Sequence, residues 1–124
     1  MKFILLEEFY SIYQVESWPK KPRCLEQEDL FSVTATNEEI SVACRDGLIE
    51  DFSRKEGGWK ALKIDQVLDL NQVGVMAEIS KCLTEANVSL FAISTFNTDY
   101  ILIKSENLKA ATEALKNKGY DVEE

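Results

Sequence analysis

Apolar residues recur at positions 75, 79, 83 and 86, spaced by four, four and three, with Glu78, Ser80, Lys81, Thr84 and Glu85 among the residues between them. That spacing puts Val75, Ile79, Leu83 and Ala86 on one face of an α-helix. Asn71 is placed to cap its start and Asn87 to stop it. The period then changes. Val88 to Thr95 and Asp99 to Lys104 read as two strands joined by Phe96-Asn97-Thr98, a loop of hairpin length. The first of these strands is apolar at Val88, Leu90 and Ala92 on one face and at Phe91 and Ile93 on the other. Leu108, Ala111 and Leu115 mark a second helix, capped by Ser105 or Asn107. Lys116 and Lys118 lie in its last turn, where cations suit the helix dipole, and Gly119 ends it. Tyr120-Asp121-Val122 reads as a closing strand, and Ala61-Leu62-Lys63-Ile64 as one that precedes the first helix.

The resulting order is strand, helix, strand, strand, helix, strand, the split βαβ arrangement of ferredoxin-like domains. Both helices then pack on one face of the sheet. Because the strand from Val88 to Thr95 is apolar on both sides, the helix-free face is expected to be covered too, by another sheet, the N-terminal half or a second subunit.

The first half repeats this pattern in reduced form. Phe3 to Gln14 is a long strand candidate, and Trp18-Pro19 through Pro22 is a break. Phe31 to Thr36 and Ile40 to Cys44 read as a hairpin around Asn37-Glu38-Glu39. Short helical segments are expected at Leu25 to Leu30 and Gly47 to Phe52, and a final strand from Trp59 to Ile64. The fold class is therefore α+β, with two tandem ferredoxin-like βαββαβ units and antiparallel sheets. A reduced unit is expected over residues 1–64 and a fuller one over 65–124.

Charge narrows the function. The chain has 14 basic and 22 acidic residues, a net charge of −8 spread evenly over both halves. No basic stripe is available to neutralise phosphates, so neither nucleic acid nor an anionic membrane is an expected partner. There is no histidine, the commonest general base and metal ligand at neutral pH. Cys24, Cys44 and Cys82 form no C-x-x-C pair, so no metal or redox site is indicated and no cofactor is expected. The apolar run Met1 to Leu6 is cut short by Glu7 and Glu8, too early for a signal peptide, and a cytoplasmic protein is expected. The acidic group Glu26, Glu28, Asp29 reads as solvated surface, and Trp18 and Trp59 as core or interface residues.

At Gly74-Val75-Met76-Ala77-Glu78-Ile79 and Ile93-Ser94-Thr95-Phe96-Asn97-Thr98-Asp99-Tyr100-Ile101-Leu102-Ile103 the chain resembles the ACT domain superfamily. More closely, it is similar to small bacterial tandem-ACT proteins related to the CASTOR-type cytosolic arginine sensors. The likeness runs through most of residues 58–108, and Phe31-Ser32-Val33-Thr34 with Glu39-Ile40-Ser41-Val42 looks like the family's N-terminal hairpin. The resemblance implies a regulatory, non-catalytic protein that binds a free amino acid between ACT units. It implies ligand-binding residues in the helix-entry loop, Gln72, Val73, Gly74 and Val75, and on the hairpin, Thr95, Phe96, Asn97 and Asp99. The sensors tend to carry an acidic residue where this chain has Gln72, and they have four ACT units where this chain has two. A homodimer is thus the expected partner arrangement.

The residues support that placement on their own chemistry. A helix start presents unsatisfied N–H groups and partial positive charge, which suit a carboxylate. Gly74 there either admits a close ligand or permits a tight turn. Asp99 suits an ammonium group, or else is a turn aspartate bonding its own backbone. Thr95 and Asn97 offer hydroxyl, amide or carbonyl groups, or serve the hairpin. Phe96 walls an apolar side chain, or packs in a core or interface. An enzyme is not expected, since nothing positions a second catalytic group beside a lone carboxylate. The alternative is a structural or protein-interaction module with a degenerate ligand site.

Overall fold

In a computed structural model of the chain, the described residues are 1–23, 25 and 29–124. Among these residues, seven strands and two α-helices follow in the order β1 (Lys2–Val15), β2 (Phe31–Ala35), β3 (Ile40–Arg45), β4 (Arg54–Ile64), α1 (Val75–Glu85), β5 (Phe91–Ser94), β6 (Asp99–Lys104), α2 (Leu108–Asn117) and β7 (Asp121–Glu123). A 3-10 turn over Ser105–Asn107 leads into α2. The chain divides into two compact units, one of Met1–Glu7 with Lys60–Glu124 and one of Glu8–Trp59.

The first unit has the β-α-β-β-α-β order from the end of β4 to β7. Its sheet runs β7-β1-β4-β6-β5, so the start of β1 lies between β4 and β7. β5 and β6 pair antiparallel, with Phe91 opposite Leu102 and Ser94 opposite Asp99. β7 pairs parallel to β1, with Phe3 opposite Val122. Ile79 and Leu83 of α1 and Ala111 and Leu115 of α2 pack on Phe3, Leu62, Ile64, Ile101 and Ile103, all fully buried. The Phe3 ring meets Tyr120 edge-on, with centroids 5.7 Å apart.

Both helices end as the sequence suggests. Asn87 sits at a φ of 59°, its N–H donates to the Thr84 carbonyl, and the Val88 N–H reaches Leu83. Gly119, at a φ of 102°, repeats the motif with Lys116, and Tyr120 with Leu115. Each is a Schellman closure that satisfies the last carbonyls of its helix. Asn107 occupies the cap position of α2 but makes no side-chain cap bond.

The second unit is a strand structure ordered β2-β3-β1-β4. Tyr10 to Val15 pair antiparallel with Arg45 to Ile40, and Phe31 to Ala35 pair with Cys44 to Ile40. Tyr13, Val15, Val42 and Cys44 form its buried centre, flanked by Phe31, Val33, Ile40, Leu48 and Ile49. Burial pushes the Cys44 thiol up to about 12. Asp46 accepts from Ser11 at 2.7 Å and pairs with Lys55 at 2.8 Å, and these bonds hold its carboxyl below the ordinary range.

Several expectations change. The compact units do not follow the 1–64 and 65–124 division, because Met1–Glu7 pairs with β7 and buries Phe3 in the core of the later residues. Among the described residues the Glu8–Trp59 unit contains no helix, so the second βαββαβ unit is not seen. Gly47 to Phe52 is not helical: Gly47 takes a φ of 90° and donates its N–H to the Tyr13 hydroxyl in a turn closed by Leu48 N–H on Arg45, and Ile49 to Phe52 are irregular. Half of the Leu25 to Leu30 segment, including Glu26 and Glu28, lies outside the described residues, as does Cys24. Asp29 is no solvated acid, since its carboxylate meets Arg45 at 3.1 Å and is 8% exposed. β4 begins at Arg54 rather than Trp59, and β5 is shorter than expected, with Phe91 and Ala92 exposed. Trp59 is buried, whereas Trp18 is 67% exposed.

Candidate functional site

The segment between β4 and α1 is shaped by local hydrogen bonds. The Asp69 carboxylate accepts the Asn71 N–H at 2.8 Å, and its carbonyl accepts the Gln72 N–H at 2.9 Å. Asn71 is thereby held in a turn and does not cap α1. The cap position belongs to Gly74, at a φ of 89° and a ψ of −3°. Only glycine adopts this left-handed conformation without a steric penalty. A Cβ there would meet nothing within 4 Å, so its backbone angle, not crowding, accounts for the glycine.

With no side chain at Gly74, nothing caps the helix start. No side-chain cap bond is made, and the first helical bond runs from Glu78 N–H to the Gly74 carbonyl at 3.0 Å. The N–H groups of Val75, Met76 and Ala77 therefore form the electropositive end of an 11-residue helix.

The β5–β6 turn is braced from both sides. Thr95 N–H and Thr95 Oγ1 both donate to the Thr98 carbonyl, at 2.8 and 3.0 Å, and Thr98 N–H donates back to Thr95 Oγ1 at 3.1 Å. The buried Thr98 hydroxyl donates to the Ile64 carbonyl at 2.9 Å. The Leu68 N–H donates to the Asn97 carbonyl at 2.6 Å. These last two bonds tie the turn to the end of β4 and to the chain leading into α1. The Thr95 hydroxyl proton is thus already used within the hairpin.

A cleft of about 330 Å³ opens between this turn and the start of α1. Of the residues expected at the site, Gln72, Gly74, Val75, Thr95, Phe96 and Asp99 line it together. Val73 and Asn97 do not: Val73 is 93% exposed, and the Asn97 carbonyl is taken by Leu68. Leu68, Asp69, Leu70, Met76, Ala77, Ser94 and Thr98 also line the cleft. Met76 and Ala77 were recoverable as the first turn of α1, and Ser94 as the residue paired with Asp99. Asp69 carried no such signal, because its position depends on the Leu68–Asn97 bond.

The lining carries two carboxylates, Asp69 and Asp99, and no basic side chain. Asp99 is half-buried, and among the described residues its carboxylate forms no ion pair. Leu70 and Phe96 stand exposed at the rim, at 67% and 79%. The cleft therefore offers N–H donors on the helix side, a carboxylate on the hairpin side and apolar walls between. Among the described residues no group of Cys, Asp and Glu is placed to hold a metal ion, and no helix is long and apolar enough to cross a membrane.

Comparisons with known proteins identify the family to which this fold belongs. A family model described as an ACT domain matches residues 54–117, just over half the chain. The human and bovine proteins named cytosolic arginine sensor for mTORC1 subunit 1 are each 31% identical over 61 residues, 48% of this chain. The match spans only 18% of the length of those sensors. Among solved structures, protein Atu0741 from Agrobacterium tumefaciens superposes with a TM-score of 0.82 at 24% identity, over 98% of this chain and 90% of that one. Aspartate kinase from Synechocystis superposes with a TM-score of 0.65 at 13% identity, over 99% of this chain and 27% of that one. At these identities the two structures attest the fold alone. The family match over β4 through α2 covers both walls of the cleft, and the chain belongs to the ACT domain family.

Proposed function

We propose that this protein is a non-catalytic regulatory module that binds a free amino acid in the cleft between the start of α1 and the β5–β6 turn. One observation carries the reading: uncapped helix N–H groups and the Asp99 carboxylate line a single cleft. A zwitterion is complementary to that pair. Its carboxylate faces the N–H groups of Val75 to Ala77, and its ammonium faces Asp99. Met76, Leu70 and Phe96 then border the ligand side chain. The cleft volume lies at the lower end of the range for small-molecule sites, about 300–1,000 Å³.

The exposed Leu70 and Phe96 leave one side of the cleft uncovered. This favours a site completed by a second ACT unit, supplied by a homodimer. The human sensor's name points to the same ligand class. The test is a thermal-shift screen against each proteinogenic amino acid. Binding at a hundredfold excess over Kd stabilises the fold by about 2.7 kcal/mol. A rise in Tm with one amino acid or a small set supports the reading, and no shift at millimolar concentration refutes it.

The exposed rim also favours a second reading, a protein-interaction module whose ligand site has lost its role. It predicts association through Leu70 and Phe96 that no amino acid alters.

A further inference from the structure

Trp18 follows the end of β1 and stands 67% exposed. Lys20, Lys21 and Arg23 come directly after it, all exposed and none ion-paired among the described residues. Pro19 and Pro22 restrict the segment to extended conformations, which lowers the entropy cost of docking it. Its base is anchored: Ser53 N–H donates to the Gln14 carbonyl at 2.8 Å, and Ser53 Oγ to Glu16 at 3.4 Å. Without these three cations the chain carries 11 basic residues against 22 acidic ones. The arm is therefore opposite in sign to the molecule that bears it.

An open cleft of about 530 Å³ lies at the same end of the Glu8–Trp59 unit. Glu16, Glu38 and Glu39 line it, with the half-buried Ile40 as its accessible apolar part. Ser41 Oγ donates to Glu39 at 2.9 Å and Ser53 to Glu16, which orients two of the three carboxylates and leaves each a free oxygen. The cations of the arm lie only a few residues from Glu16, yet they pair with none of these acids. A two-fold interface is self-complementary, so a basic arm and an acidic cleft on the same molecule can each meet its counterpart on a second copy.

We propose that two copies of this chain dock by exchanging arms, with Trp18 of each against Ile40 of the other, and Lys20 and Lys21 against Glu38 and Glu39. The acidic cleft favours this occupant. A nucleic acid or an anionic membrane meets a chain of net charge −8 and finds in the arm only three cations to hold it. The inference uses no residue of the amino-acid cleft and stands or falls separately from it.

The test mixes isotopically light and heavy full-length protein and couples amines to carboxylates with a zero-length carbodiimide. At about 50 mM salt, peptides joining Lys20 or Lys21 to Glu38 or Glu39 are expected with mixed labels. They should be lost at about 500 mM, where screening is strong. The double variant K20E/K21E should lose them as well. Mixing K20E/K21E with E38K/E39K should restore coupling between the two variants, which separates charge pairing from misfolding. Coupling only within one label, no coupling, or no rescue in the swapped pair would overturn the proposal. So would binding of the arm to anionic vesicles or single-stranded DNA in place of the coupled pair.

Discussion

The Leu68 N–H donates to the Asn97 carbonyl at 2.6 Å, and this bond joins the two walls of the candidate cleft. Leu68 precedes the Asp69 turn and α1, while Asn97 sits in the hairpin turn two residues before Asp99. The bond and the Thr98–Ile64 bond beside it set the spacing between helix start and carboxylate. A site for a small zwitterion requires such fixed spacing, because a ligand with two charged ends samples both at once.

Thr98 is the first test of that brace. Its hydroxyl is buried and donates to the Ile64 carbonyl. Thr98→Val keeps the shape but removes that buried bond, at a cost of about 0.5–1.5 kcal/mol. Urea unfolding should show a lower midpoint, and any ligand-induced stabilisation should weaken with it. An unchanged midpoint would mean the turn is held by its other bonds.

Gly74→Ala probes the helix start. A φ of 89° costs an L-residue about 1–2 kcal/mol. Tm should fall by roughly 3–6 °C for each kcal/mol in a chain of this length. Since a Cβ there meets no neighbour, a larger loss would point to a contact the φ argument does not include.

The Cys44 thiol gives a pH-dependent test. Its pKa rises from 9.0 to about 12 because burial disfavours the thiolate. The folded state then holds the proton more tightly than the unfolded state. The resulting stability is fully present below pH 9 and is lost as pH rises from 9 towards 12. At pH 8 the native protein should resist alkylation at Cys44, and denatured protein should react readily. Peptide mapping after iodoacetamide treatment reads this directly. Equal labelling in both states would contradict the buried placement.

The parts of the fold that were legible in the sequence are those set by local periodicity and stop signals. Val75, Ile79 and Leu83 mark the inner face of α1, and Asn87 and Gly119 end the two helices in left-handed conformations. β6 runs over Asp99–Lys104, the apolar run Tyr100 to Ile103 with one charged residue at each end, as expected. What was not legible depends on partners distant in the chain. The first seven residues join the later unit because Phe3 lies opposite Val122, a pairing invisible in either segment alone. Asn71 looks like a helix cap until Asp69 takes its N–H. Gly47 to Phe52 has the composition of a short helix, but the Tyr13 hydroxyl holds Gly47 in a turn. In the cleft, Asp99 was visible from its motif, whereas Asp69 is brought there by the Leu68–Asn97 bond.

Calorimetric titration of the wild-type protein and Asp99→Asn against the proteinogenic amino acids tests the central claim most directly. Asp99 supplies the negative pole of the cleft, and a hydrogen bond to a charged group contributes about 1.5–3 kcal/mol. The wild type should bind at least one amino acid saturably. Asp99→Asn should bind it about tenfold to a hundredfold more weakly, with Tm unchanged in the absence of ligand. Equal affinity in the two proteins, or no heat with any amino acid at millimolar concentration, would contradict the account.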